Sequence, residues 1–267
     1  MNAAAAVLEL LLPTTCAGCD RRDDAETRSR GLCPDCIATL RRATPLEWSL
    51  WSLRPPGQPA DAGVLRAFAA GAYDGVLRAT LLSYKEQGRL CLRRELGGCL
   101  AVSVLAAAHV SADPDLLLVP VPSAVATQRA RGHDPVGGMA RIVAQQLRAV
   151  GLPTRVSAAL RQARAVADQS GLDVTERHAN LTGALTVTNP AKVCGRRVVV
   201  VDDIVTTGAT ALEAARALTA AGALVSAVAC VAATPRRYPA SAKQRLTGTV
   251  AGPPALPDGL RGAAGSG

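Results

Sequence analysis

An α/β fold is predicted for this chain: a parallel sheet flanked by helices, preceded by a small ribbon anchored by four cysteines. Three features predict it. Residues 198–210 read Val-Val-Val-Val-Asp-Asp-Ile-Val-Thr-Thr-Gly-Ala-Thr, a β-branched run suited to a strand buried on both faces. A helix-forming segment and a second apolar run follow, so strand, helix and strand alternate as they do in parallel sheets. Two C-x-x-C pairs, Cys16/Cys19 and Cys33/Cys36, lie near the start of the chain.

The elements follow in order. Residues 2–12 have a helical apolar pattern and lead into the ribbon, 14–42. Pro55-Pro56-Gly57-Gln58-Pro59 is a linker, because three prolines cannot continue regular structure. A strand pattern runs from Val64 to Tyr73, and Asp74-Gly75 opens a helix that ends at the turn Tyr84-Lys85-Glu86-Gln87-Gly88. Leu92–His109 is predicted helical, Leu116–Val121 a strand closed by prolines, Val136–Val150 an amphipathic helix and Leu152–Val156 a strand. Ala158–Asn180 is a polar, Arg-rich connection of the sort that forms active-site lids. Strand 198–205, helix 209–221 and strand 224–232 complete the sheet, and the Ala/Gly/Pro-rich tail is predicted disordered. The predicted domains are thus 1–55 (helix and ribbon), 60–235 (α/β domain) and 236–267 (tail).

Thirteen residues separate the two C-x-x-C pairs. Each pair can present two thiolates to one ion, and together they complete a tetrahedral four-cysteine zinc site. Disulfides or a redox dithiol are the alternatives. The first needs an oxidising compartment, and the second needs only one pair. With Cys16, Cys19, Cys33 and Cys36 all bound, no position is open to water, so such a zinc is structural. The other cysteines, Cys91, Cys99, Cys194 and Cys230, lack ligand spacing and read as small, mostly buried hydrophobes.

Composition excludes several classes. Of 267 residues 49% are apolar, enough for a sizeable core, and 2% are aromatic. The net charge of +9 permits an anionic partner, yet basic and acidic residues are interspersed and stacking aromatics are sparse. Trp48 and Trp51 are close together and are expected to cover the ribbon or its junction. No stretch is apolar enough to span a bilayer, and Ala3–Leu12 has no basic flank, so a cytoplasmic location is expected. No G-x-x-x-x-G-K-[ST] occurs, and no strand is followed by G-x-G-x-x-G, which removes support for a P-loop ATPase or a dinucleotide dehydrogenase.

The stretch after the β-branched run has the chemistry of a sugar-phosphate site. Asp202 and Asp203 supply acceptors for sugar hydroxyls. Thr206, Thr207, Gly208, Ala209 and Thr210 offer backbone N–H groups, hydroxyl donors and a helix N-terminus to a phosphate. Further along the chain's order of loops, Val119-Pro120-Val121-Pro122-Ser123 precedes Gln128-Arg129-Ala130-Arg131-Gly132-His133-Asp134. Arginines beyond a strand's carboxyl end can clamp a pyrophosphate, although an exposed turn is the alternative for Arg129. Lys85, the sole lysine before residue 192, can reach a phosphate or face water.

Residues 198–210 resemble the phosphoribosyl pyrophosphate (PRPP) motif of type I phosphoribosyltransferases. More widely, the chain from Leu11 to about Ala233 resembles the ComF (GntX-like) family of amidophosphoribosyltransferase-like competence proteins. The resemblance rests on Leu-Pro-x-x-Cys-x-x-Cys, Leu-Cys-Pro-x-Cys, Tyr84-Lys85, Val119–Pro122, Arg131-Gly132, Gln169-Ser170-Gly171-Leu172 and the PRPP run. It implies a zinc ribbon joined to a type I phosphoribosyltransferase fold. Where the family commonly has Phe-Asn-Gln after Arg-Gly, this chain has His133-Asp134-Pro135, and Pro135 removes a donor.

The resemblance implies PRPP or a related ribose phosphate as ligand. Its 5-phosphate would sit in the 206–210 loop, Asp202 and Asp203 would face the ribose hydroxyls, and Arg129, Arg131 and Lys85 the pyrophosphate. Mg²⁺ would enter with the substrate. The reaction class is displacement of pyrophosphate at C1 of ribose by a nitrogen nucleophile. The alternative is a non-catalytic competence adaptor that contacts single-stranded DNA or a DNA-uptake helicase. Gene regulation is disfavoured, since no helix-turn-helix or basic recognition helix is visible.

Overall fold

The computed structural model describes residues 15–22, 31–49, 65–111, 115–123, 132–164 and 181–234. In chain order these contain helix α1 (Pro34–Arg41), strands β1 (Leu46–Ser49) and β2 (Arg66–Ala69), and helices α2 (Gly75–Glu86) and α3 (Arg93–Ser111). Strand β3 (Leu116–Pro120), helix α4 (Pro135–Ala149), and strands β4 (Thr154–Val156), β5 (Leu160–Gln162) and β6 (Leu185–Val187) follow. Strand β7 (Arg197–Val205), helix α5 (Ala209–Ala220) and strand β8 (Leu224–Ala233) close the described chain. The predicted helix 2–12, the proline linker and the tail lie outside the described residues.

Val198–Val201 are all buried in β7, an interior strand of a six-stranded sheet ordered β1-β2-β8-β7-β3-β4. From β2 to β4 every neighbouring pair is parallel, and β1 alone is antiparallel. Parallel strands need both faces covered, which explains the unbroken apolar runs. One face packs on α2, α3 and α4, with Phe68, Leu118, Val199 and Val201 meeting Leu81, Leu96, Leu100 and Met139. The other packs on α5, through Val198, Val200, Ala214 and Leu218. Helices α3 and α4 approach closely at Gly97, where a Cβ would come within 2.6 Å of Ile142 Cγ2. Buried Ser103 on α3 donates its hydroxyl to the Cys230 carbonyl at 2.7 Å, so its polar atom is satisfied against the sheet.

Several predicted boundaries are corrected. The strand expected over 64–73 is regular only to Ala69; beyond it the chain keeps irregular contact with β8 through the Ala72–Ala233 bridge and the hydrogen bonds of Ala70, Gly71 and Tyr73, until the capped start of α2 turns it away. Asp74 caps α2 by accepting from the Gly75 N–H at 2.7 Å. Residues 46–49 form β1 on the main sheet, where the Trp48 backbone pairs with Ala67. The stretch expected as an irregular connection from Ala158 contains β5, which pairs antiparallel with β6. Leu160 and Leu185 anchor this small sheet against α5. Glu213 on α5 accepts from the Leu185 N–H at 3.0 Å, and Arg216 donates to the Leu185 carbonyl at 3.2 Å. Of the four cysteines read as mostly buried, Cys99 and Cys230 are buried, whereas Cys91 and Cys194 are exposed. Burial pushes the Cys99 thiol up to about 12.

Candidate functional site

Strand β7 carries the acidic pair at its carboxyl end and continues through it to Val205. Asp202 and Asp203 are each only 9% exposed, yet they have different partners. The Asp203 carboxylate lies 2.6 Å from the Lys85 ammonium, which arrives from the last turn of α2. The Asp202 carboxylate accepts from the Asp203 backbone N–H at 2.8 Å. Burial and then the neighbouring charge of Asp203 raise the Asp202 carboxyl well above the ordinary carboxylate range, against the opposing pull of that N–H and of Lys85. One buried carboxyl thus sits beside a matched ion pair. Together they place acceptors at the carboxyl end of a parallel strand, the end at which ligands of open α/β sheets bind.

The loop after β7 turns directly into α5. Gly208 occupies the N-cap with φ +83°, a left-handed backbone that glycine adopts without strain. The Thr207 hydroxyl accepts from the Ala209 N–H at 3.3 Å. No acidic side chain stands in the first turn of α5, so nothing within that turn offsets the positive end of the helix dipole, which favours an anion. Thr206 is exposed and Thr210 half-buried, while Ala209 is buried under the turn. The acidic pair and residues Thr206, Thr207, Gly208, Ala209 and Thr210 therefore follow one another from the end of β7 into the first turn of α5.

Sequence reasoning aimed Lys85 at a phosphate; the structure sets it on Asp203. The sequence signal was its isolation at a helix end beside Tyr84. Arg129 and Arg131 lie outside the described residues. The chain just after them is held by Tyr84, whose hydroxyl donates to the Pro135 carbonyl at 3.2 Å and whose ring lies 5.3 Å from that of His133. The departure His133-Asp134-Pro135 has a structural reason. Asp134 is the N-cap of α4, accepting from the Gly137 N–H at 3.0 Å, and Pro135 takes the first helical position, where its missing donor costs nothing.

The four cysteines of the two C-x-x-C pairs meet. Their sulfur atoms all lie within 4.8 Å of one another, with Cys19 and Cys33 at 3.7 Å. A disulfide would need about 2.05 Å. A zinc tetrathiolate with bonds of about 2.3 Å has edges of roughly 3.8 Å, which this cluster fits. Cys33 is the N-cap of α1 and Pro34 its first residue, so the turn of the helix brings Cys36 back to the cluster. The N–H groups of Cys33 and Gly18 donate to the Cys16 sulfur at 3.2 and 3.4 Å. Burial pushes the Cys16 thiol up, but these donors and that of Cys19 outweigh it and bring it down to about 7. Outside the cluster, Arg21 and Asp35 join the two knuckles by an exposed ion pair at 3.0 Å.

Residues 135–249 match the family model described as the phosphoribosyl transferase domain. Among solved structures, a chain described as the allosteric regulatory enzyme of purine biosynthesis is 22% identical, with a TM-score of 0.29. The match covers 52% of this chain and 25% of that one, so the chain spans about a quarter of that structure's length. No curated protein matches the chain. No helix among the described residues is long and apolar enough to cross a membrane. The family match begins at α4 and runs past β8, so it takes in the acidic pair on β7 and the loop after it, and the fold is a phosphoribosyltransferase-type α/β fold.

Proposed function

We propose that this chain binds PRPP, or a related ribose phosphate, at the carboxyl end of β7 and transfers the phosphoribosyl group to a nitrogen acceptor. One observation carries the reading: a buried acidic pair and a glycine-capped helix N-terminus are joined by only the short stretch 204–208. The spacing suits a ligand that has hydroxyls at one end of a ring and a phosphate at the other. Asp202 and Asp203 accept from the ribose hydroxyls, and the N–H groups of 207–210 with the Thr206 and Thr210 hydroxyls receive the 5-phosphate. Arg129 and Arg131 follow β3 in the chain and serve the pyrophosphate.

In the transfer the C1–O bond to pyrophosphate breaks, its electron pair leaves with the pyrophosphate, and a C1–N bond forms with the acceptor, whose proton passes to solvent. Mg²⁺ bound to the pyrophosphate as part of the substrate would supply neutralisation of the leaving charge. The chain's own part is positioning and electrostatic stabilisation, which needs no His or Cys at the reacting carbon. Zinc held by Cys16, Cys19, Cys33 and Cys36 fixes the ribbon and takes no part in the transfer. The resemblance to ComF proteins and the net charge of +9 favour a second reading, an adaptor that binds single-stranded DNA or a DNA-uptake helicase and keeps the ligand site without turnover. Pyrophosphate release from PRPP, screened against nitrogen acceptors, separates the two. The transferase releases pyrophosphate in proportion to acceptor consumed, and the absence of release with every acceptor rejects transfer.

A further inference from the structure

The ribbon touches both ends of α2, the helix that delivers Lys85 to the acidic pair. At its start, Gly18 of the first knuckle lies between Cys36 and Val76: a Cβ there would come within 2.8 Å of the Cys36 sulfur and 2.9 Å of Val76 Cγ1. Just past its end, the Arg89 guanidinium donates from one nitrogen to the Thr15 carbonyl at 2.8 Å and to the Gly31 carbonyl at 3.3 Å. Thr15 immediately precedes Cys16, and Gly31 is two residues before Cys33, so a single guanidinium holds the backbone entering each knuckle. Arg89 is equally tied to the helix. Gly88, at φ +66°, reverses the chain so that the Arg89 N–H returns to the Ser83 carbonyl at 3.3 Å, in the same turn as Lys85. Behind that turn Leu92 and Leu96 share one core with Leu32, Ile37 and Leu40 of the ribbon.

We propose that Arg89 is a positioning residue, which couples the metal-loaded cysteine cluster to the ligand site by fixing the turn that holds Lys85 on Asp203. When the knuckles are organised by their metal, their two carbonyls lie together and Arg89 can bridge them. When they separate, the bridge opens and the last turn of α2 loses its anchor. A long, flexible lysine side chain reaches a carboxylate at 2.6 Å only if its backbone is held. The effect on ligand binding rests on the ribose-phosphate reading above; the coupling of cluster to Lys85 does not.

The chain has three lysines, at 85, 192 and 243, so lysine labelled with ¹³C at Cε gives three resolvable signals in the full-length protein. In zinc-loaded Arg89→Ala, the Lys85 signal is expected to move toward its position in Asp203→Ala, with the Lys192 signal and the zinc content unchanged. Affinity for PRPP falls about tenfold, within the range for coupled neighbours. If Arg89→Ala does not fold, Arg89→Lys serves, since the ammonium keeps the charge but sits on a shorter side chain that reaches the two carbonyls less well, and its Lys85 signal moves part of the way. A Lys85 signal that stays in place in the folded, zinc-loaded variant overturns the coupling. The signal is read without ligand, so a failure of PRPP to bind the parent protein bears on the ligand reading and is distinguishable from a failure of the coupling.

Discussion

Lys85 Nζ and Asp203 Oδ2 lie 2.6 Å apart and join helix α2 to the strand that carries the acidic pair. The side chains are 20% and 13% exposed, so most of the water that would otherwise solvate either charge is excluded. The Coulomb attraction offsets a desolvation cost that neither charge could carry alone.

Removing one partner should therefore cost more than removing both. Lys85→Met leaves the Asp203 carboxylate buried beside Asp202 and is expected to destabilise the fold by about 1–3 kcal/mol, below the fully buried case because some water remains. Lys85→Met with Asp203→Asn should recover most of that loss. Urea unfolding of the parent, the two single variants and the double variant measures the coupling. Additive losses would show that the pair is only an incidental contact.

Asp202 predicts a pH dependence of defined sign. Its carboxyl is raised in the fold, chiefly by burial, so between the unfolded value of about 4 and the folded value the native state holds the extra proton. The stability this group contributes is full below the unfolded value and is lost as pH rises through the folded one. Asp202→Asn removes that loss. Its melting temperature should exceed that of the parent at neutral pH by about 2–4 °C, the shift worth roughly 1 kcal/mol in a domain of this size, and the difference should vanish below about pH 4. Calorimetric melting across that range tests it, and a difference independent of pH contradicts the assignment.

The parallel sheet was legible because each signal was local. Val198–Val201 identify a strand covered on both faces, and Gly208 identifies the turn into α5. The cysteine cluster was legible for the same reason, since C-x-x-C spacing alone brings two sulfurs together. What escaped was set by distant partners. Strands β5 and β6 have three residues each and owe their place to the packing of their Leu160 and Leu185 against α5 and to the Glu213 and Arg216 contacts with Leu185. Lys85 and Asp203 are 118 residues apart, and nothing in either neighbourhood specifies the other. The burial of Cys99 and the exposure of Cys194 depend equally on packing that no short window contains.

The most direct measurement is titration calorimetry of PRPP with Mg²⁺ into the zinc-loaded protein, beside the Asp202→Ala/Asp203→Ala variant. The account predicts saturable binding, one ligand per chain, that the variant loses. Absence of saturable heat in the parent, or equal binding by the variant, would contradict the assignment of the β7 carboxyl end as a ribose-phosphate site.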